Sequence, residues 1–238
     1  MINAELKNKI VEHAECYSPN EICGLLLQVN GVTEYHPCRN MSPHAGQHFQ
    51  INPVDYARVE ERGEIVAVVH SHPNGPVEFS EADKVSCEAT GLPWLLVVKV
   101  GGSTWLFQEM VPTGYKAKLL GRPWCHGVLD CYAIIRDYYD QELNIKLPDF
   151  ERDDLWWEKG QDIYTENFVK AGFSPIELRD IRMGDVILMR VGAKVTNHGA
   201  IYVGENKILH HLYNRLSCYE VYGGYWQKNT THILRYIG

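Results

Sequence analysis

Two histidines one residue apart, His70 and His72, close an apolar run, followed by a Pro/Gly-punctuated loop and then Ser80-x-x-Asp83, in the segment HSHPNGPVEFSEAD. Alternation along a strand puts both imidazoles on one face, which suits a single metal ion. An oxygen ligand from Asp83 would complete the three-ligand set of a catalytic zinc, leaving a fourth position for water. Hydrolysis at such a centre needs a carboxylate to move protons, and Glu21, beside the run CGLLLQV, is the candidate. The same spacing has a purely structural reading. Ser80-x-x-Asp83 before an apolar run is close to a capping box, with Asp in place of Glu or Gln, and HSHP would then be an exposed strand end.

A second group lies further along. Asp130 is a reasonable N-cap, which places Cys131 in the first turn of a helix, where exposed N–H groups and the macrodipole favour a thiolate. A cysteine before an apolar run is also a common small core side chain. As a nucleophile it needs a base within hydrogen-bond reach and a third group to orient that base. NHGAIYVGENKILHH offers histidines for both roles, on two strands around a turn near Gly204-Glu205-Asn206. A three-residue loop sets His198 and His210 on one sheet face, with Cβ atoms ~5–8 Å apart. A two-residue loop brings His211 there instead, so spacing leaves the choice open.

The elements that position these residues form two α+β units. In the first, an amphipathic helix precedes ICGLLLQV and VTEYHPC, strands around the Asn30-Gly31 hairpin signal. A helix is predicted from Pro53, ending before Gly63, followed by the β-branched strand EIVAVVH, whose last residue is His70. SEADKVSCEAT reads as a helix, and PWLLVVKV and STWLFQEM as a strand pair around Gly101-Gly102. VPTGYK (111–116) interrupts both periodicities and is the expected linker, giving domains at 1–112 and 118–238. The second unit opens with GRPWCHG, then a helix from near Asp130, a further helical pattern over DIYTENFVKAG, and short strands GDVILMR, HGAIYVG and KILHHLY. Helices followed by an antiparallel sheet is again α+β.

Composition narrows the function class. A net charge of −7 with no basic run argues against nucleic acid as a partner, since phosphate binding wants clustered Lys and Arg. No window approaches the ~18 apolar residues of a membrane span, and the first residues alternate at helical spacing, unlike a signal peptide. Seven cysteines, an odd number without CxxC spacing, read as reduced thiols in a cytoplasm. Trp156-Trp157 and Tyr138-Tyr139 are read as core before docking face.

The quoted motifs carry resemblances. NEICGLLL, HSHP, the seven residues from Pro73 to Phe79 and SEAD resemble the JAMM metallopeptidase signature of MPN domains over roughly residues 1–110, and all five polar positions match. That resemblance implies Zn2+ held by His70, His72 and Asp83, Glu21 as general base, and Ser80 supporting the tetrahedral intermediate. DCYAIIRDYY, GDVILM, NHGAIYVG and KILHH resemble the NlpC-type cysteine peptidases, papain-like cell-wall hydrolases, over about 118–238. This implies Cys131 as nucleophile, His198 as base and His210 as the third member, in preference to His211. Three positions depart from that pattern. Trp124 stands where the family often has Tyr, and its indole N–H donates but cannot accept a hydrogen bond. Tyr132 and Ala133 replace the usual Ser and Gly. His126 is a further polar candidate.

The order of the two units, with Gly223-Gly224-Tyr225-Trp226 and the His210-His211 pair near the end, resembles siphophage tail-tip assembly proteins. The resemblance implies peptidoglycan peptide stems and other phage tail-tip proteins as partners. It implies the host cytoplasm as location during assembly, and the virion tail tip after it. The rival expectation is a structural tail-tip assembly factor with little or no turnover. A deubiquitinase-like reading uses only the first unit and leaves Cys131 unexplained.

Overall fold

The computed structural model describes residues 2–102 and 104–238. Their contacts divide the chain into two units, Met1–Lys116 and Ala117–Gly238, each with cores of its own.

In the first unit, helix α1 (Ala4–Tyr17) starts where the Asn3 side chain accepts the Leu6 N–H, and buries Leu6, Ile10 and Ala14. Strands β1 (Cys23–Val29) and β2 (Val32–Cys38) pair around Asn30 and Gly31, both at positive φ as a tight primed turn requires. Helix α2 (Pro53–Glu60) is capped by Asn52 and opens on proline, whose missing N–H costs nothing at that position. Strand β3 (Glu64–His72) runs two residues past the predicted end at His70, so both imidazoles stand on regular strand. Helix α3 (Glu81–Thr90) and strands β4 (Trp94–Gly101) and β5 (Thr104–Met110) complete a sheet of order β2-β1-β3-β4-β5. The β3–β4 pair is parallel and the others antiparallel. With α3 as crossover, β3 is central and buried on both faces, which explains its near-continuous apolar run.

In the second unit, α4 (Cys131–Glu142) packs on β8 (His198–Gly204), burying Ile134, Ile135, Tyr138 and Tyr139. A 3-10 turn at Trp156–Lys159 and the short helix α5 (Ile163–Asn167) follow. The helix predicted through DIYTENFVKAG stops after five residues. Phe168 and Phe173 both turn toward the core, and the Phe173 N–H returns to the Phe168 carbonyl with Gly172 at positive φ between them. Strands β6 (Phe173–Pro175), β7 (Val186–Met189), β8, β9 (Lys207–His210), β10 (Cys218–Val221) and β11 (Thr230–Tyr236), with the turn α6 (Tyr225–Lys228), form an antiparallel sheet of order β10-β9-β8-β7-β11-β6. Both units are thus α+β. No helix among the described residues is long and apolar enough to cross a membrane.

Candidate functional site

In the first unit, β3 carries His70 and His72 with ring centroids 5.1 Å apart, and α3 brings Asp83 beneath them. His70 Nε2 lies 3.4 Å from Asp83 Oδ1, and His72 Nε2 lies 3.6 Å from Asp83 Oδ2. Glu21 Oε1 is 3.9 Å from His72 Nε2. Each of the three residues His70, His72 and Asp83 offers a ligand atom within 4.8 Å of the others, and all three are buried.

The donor set fits a metal ion by its own chemistry. His72 Nδ1 bonds the Pro76 carbonyl at 2.9 Å, so it carries the proton and leaves Nε2 as a lone pair facing Asp83. His70 is fully buried and neither ring nitrogen has a hydrogen-bond partner. A buried imidazole left unsatisfied is costly unless something else occupies its lone pair. Burial works to raise the Asp83 carboxyl, but the adjoining His70 and His72 rings and its bond with Ser80 hold it well below the carboxylate range. Two imidazoles and an ionised carboxylate suit a borderline dication.

Burial is also the main force on Glu21, pushing it up to about 8 in the absence of an ion, with His72 opposing and Asp83 adding. Ser80 and Asp83 make a complete capping box: Ser80 Oγ accepts the Asp83 N–H at 3.1 Å, and Asp83 Oδ2 accepts the Ser80 N–H at 2.7 Å. The helix cap and the metal-facing carboxylate are therefore the same group. Sequence reading missed Ser71. Its hydroxyl accepts the Ile22 N–H at 3.0 Å while its own N–H reaches the Ile22 carbonyl, which fastens the residue after Glu21 to β3. The available signal was alternation, since the residue between two histidines on one face lies on the opposite face of the sheet.

In the second unit, Asp130 caps α4 through the Tyr132 and Ala133 N–H groups, and Arg152 grips the same carboxylate at 2.7 and 3.0 Å. Cys131 thus sits at the head of the helix, its Sγ receiving the Tyr164 hydroxyl at 3.2 Å and lying 3.9 Å from the Asn197 carbonyl, next to His198. His198 Nε2 meets His210 Nδ1 at 3.1 Å. Burial, with Asp130 adding, pushes the Cys131 thiol up to about 11, against the help of Tyr164. Desolvation and the capping anion thus oppose the thiolate that the helix terminus favours. Burial likewise holds His198 well below its ordinary value, so thiol and imidazole rest neutral.

The turn between β8 and β9 has two residues, Glu205 and Asn206, both at positive φ. By turn length alone His211 would face His198. A bulge at Val203 shifts the pairing by one, and His210 lies opposite Ala200, on the His198 face. His211 instead bonds the Arg215 carbonyl and stacks edge-on against Trp124, with burial and Arg122 pushing it down to about 4. His126 is tied to the Arg152 carbonyl at 2.9 Å. Trp124 packs on Tyr213 as well, and the hydroxyl at the thiol comes from Tyr164, which sequence reading missed. Tyr138 and Tyr139 are core, as is Trp156, whereas Trp157 with Phe150 and Tyr132 lines an apolar hollow beside Cys131.

Both folds have family counterparts. The prokaryotic homologs of the JAB domain match residues 3–110, and the NlpC/P60 family matches residues 121–235. The chain is thus a JAB-type unit followed by an NlpC/P60 unit, and the second points to a hydrolase of the cysteine peptidase type. It is 39% identical over 231 residues to the tail tip assembly protein K of Escherichia phage N15, covering 95% of this chain and 92% of that one. It is 41% identical over 186 residues to the tail tip assembly protein K of Escherichia phage lambda, covering 78% and 89%. The chain belongs to this family of tail tip assembly proteins. Among solved structures, an NlpC/P60 family protein from Bacillus cereus is similar at 12% identity and a TM-score of 0.38, covering 100% of this chain and 68% of that one.

Proposed function

We propose that the second unit hydrolyses an amide in the peptide stems of peptidoglycan, with Cys131 as nucleophile, His198 as base and His210 orienting His198. The observation that carries this is the bonded His198–His210 pair beside a cysteine heading a helix. His198 holds His210 through Nε2, which leaves Nδ1 as the nitrogen available to a thiol proton. Because thiol and imidazole rest neutral, the proton passes from Cys131 to His198 as sulfur attacks the carbonyl carbon. The imidazolium returns that proton to the leaving amine as the C–N bond breaks. Water, deprotonated by the same imidazole, then cleaves the thioester. The Tyr164 hydroxyl, which donates to Cys131 Sγ, stabilises developing charge on sulfur.

The first unit we propose to be a zinc-dependent peptidase or isopeptidase acting on a tail protein. His70, His72 and Asp83 would hold the ion. Zinc, when bound, supplies Lewis acidity that polarises a carbonyl and acidifies water. Glu21, buried and protonatable, would shuttle the proton, and Ser80 would support the oxyanion beyond its capping role. Other tail-tip proteins are partners in this reading. The protein would be present in the host cytoplasm during assembly and at the virion tail tip afterwards.

The test incubates purified protein with purified peptidoglycan, in parallel with Cys131→Ala and with a zinc chelator, and identifies released fragments by mass. Cysteine-dependent, chelator-insensitive release is expected; retention of activity by Cys131→Ala would sink the thiol mechanism. Metal analysis should find zinc in the wild-type chain and its loss in His70→Ala. A structural role in assembly is the second reading, favoured by the names of both relatives. Tail tips that still form with Cys131→Ala and His70→Ala combined would favour it.

A further inference from the structure

The Gly223–Trp226 segment has no place in the mechanism so far, yet it reaches the histidine pair. Trp226 sits edge-on to His210 with ring centroids 4.8 Å apart, and its indole Nε1–H donates to Glu220 Oε2 at 2.7 Å. Glu220 lies on β10, two residues after Cys218, which is the register partner of His210. Alternation therefore puts Glu220 on the His210 face. Its other oxygen, Oε1, is 3.7 Å from His210 Nε2, a fully buried nitrogen with no hydrogen-bond partner among the described residues. A carboxylate this close is placed to accept a proton from that nitrogen on a small side-chain movement.

We infer that Glu220, held by Trp226, is a positioning residue that sets the tautomer of the whole histidine pair. This rests on the reading of Cys131 and His198 as nucleophile and base. For His198 to take the thiol proton at Nδ1, its own proton must sit on Nε2 and be donated to His210 Nδ1. His210 Nδ1 must then be the bare nitrogen, so the His210 proton must sit on Nε2. Only an acceptor at that end favours this arrangement, and Glu220 Oε1 is that acceptor. Without it His210 is free to carry its proton on Nδ1, facing His198 Nε2. His198 would then accept through Nε2, hold its proton on Nδ1, and have no lone pair for the thiol. Two donors, the Trp226 indole and His210 Nε2–H, converge on one side chain, which requires a carboxylate with two accepting oxygens.

The requirement gives a sharp test on the full chain. Glu220→Gln keeps shape but offers one oxygen and one NH2 to two donors. Its kcat on peptidoglycan stems should fall about 10-fold or more with KM unchanged, since a catalytic imidazole held in the wrong tautomer loses its base. Adding Trp226→Phe removes the competing donor and lets the Gln oxygen turn to His210, so the double variant should recover much of the loss. Nitrogen-15 NMR of the histidine rings provides a readout independent of turnover. The wild-type His210 should be protonated at Nε2 and bare at Nδ1, and Glu220→Gln should shift population to Nδ1–H. Unchanged ring-nitrogen signals and unchanged kcat in Glu220→Gln would overturn the inference. If the wild type itself releases no fragments, the nucleophile reading fails while the NMR still decides the role of Glu220.

Discussion

Asp130 caps α4 and accepts from both Arg152 Nε and Nη2, with its side chain only 3% exposed. Asp130→Ala would leave a buried guanidinium without its main partner, and breaking such a pair costs about 3–5 kcal/mol. Denaturant unfolding of the variant should show a loss of that size. The pH dependence follows from the depressed Asp130 pKa, where burial alone would raise it but Arg152 and the cap N–H groups prevail. A carboxyl depressed in the folded state contributes stability fully above its unfolded value, about 3.9, and loses it as pH falls toward the folded one. Acid titration of unfolding should therefore show wild type losing stability below about pH 4, with Asp130→Asn flatter across that window. Tyr164→Phe keeps the ring and removes only the hydroxyl on Cys131 Sγ. About a tenfold or greater fall in kcat, without loss of thermal stability, is expected from steady-state kinetics if that hydroxyl supports charge on sulfur.

At the scale of elements, Ser80 separates two roles on one helix. Ser80→Ala removes the acceptor for the Asp83 N–H and should cost about 1 kcal/mol in thermal unfolding, whereas Ser80→Asn keeps a capping oxygen and most of that stability. If both variants lose metal-dependent activity equally, the hydroxyl has work beyond the cap. The elements themselves were largely legible in the residues. The Asn30-Gly31 hairpin, the α4 start at Asp130 and the β3 run all follow from local turn, capping and periodicity rules. What was not legible depends on neighbours far along the chain. The bulge at Val203 that seats His210 beside His198 leaves no mark in turn length. Tyr164 sits in a segment read as continuous helix, and tertiary demand for Phe168 and Phe173 cut it short. Gly199 shows the same kind of dependence. A Cβ there would come within 2.6 Å of Ile135 Cδ1 and 3.1 Å of the Tyr164 hydroxyl, a close approach between strand and helix that sequence alone did not reveal.

For the whole molecule, the two units carry separate cores and separate chemistries, so a ligand of one should act on that one. Zinc at about 100 times its Kd would stabilise the folded JAB-type unit by about 2.7 kcal/mol through mass action. Hydrogen-exchange mass spectrometry should show added protection in β3 and α3 and none in β8 or α4, and His70→Ala should abolish the effect. Protection gained in β8 would mean that the ion binds elsewhere. The seven cysteines matter at this scale too. Cys16 is exposed, while Cys131 is 9% exposed with its thiol pushed up to about 11. Oxidation to sulfenic acid tracks thiolate content and access, and burial works against both at Cys131. The sulfur beneath the Tyr164 hydroxyl is thus shielded from dissolved peroxide, and mass spectrometry after mild peroxide treatment should find Cys16 oxidised before Cys131.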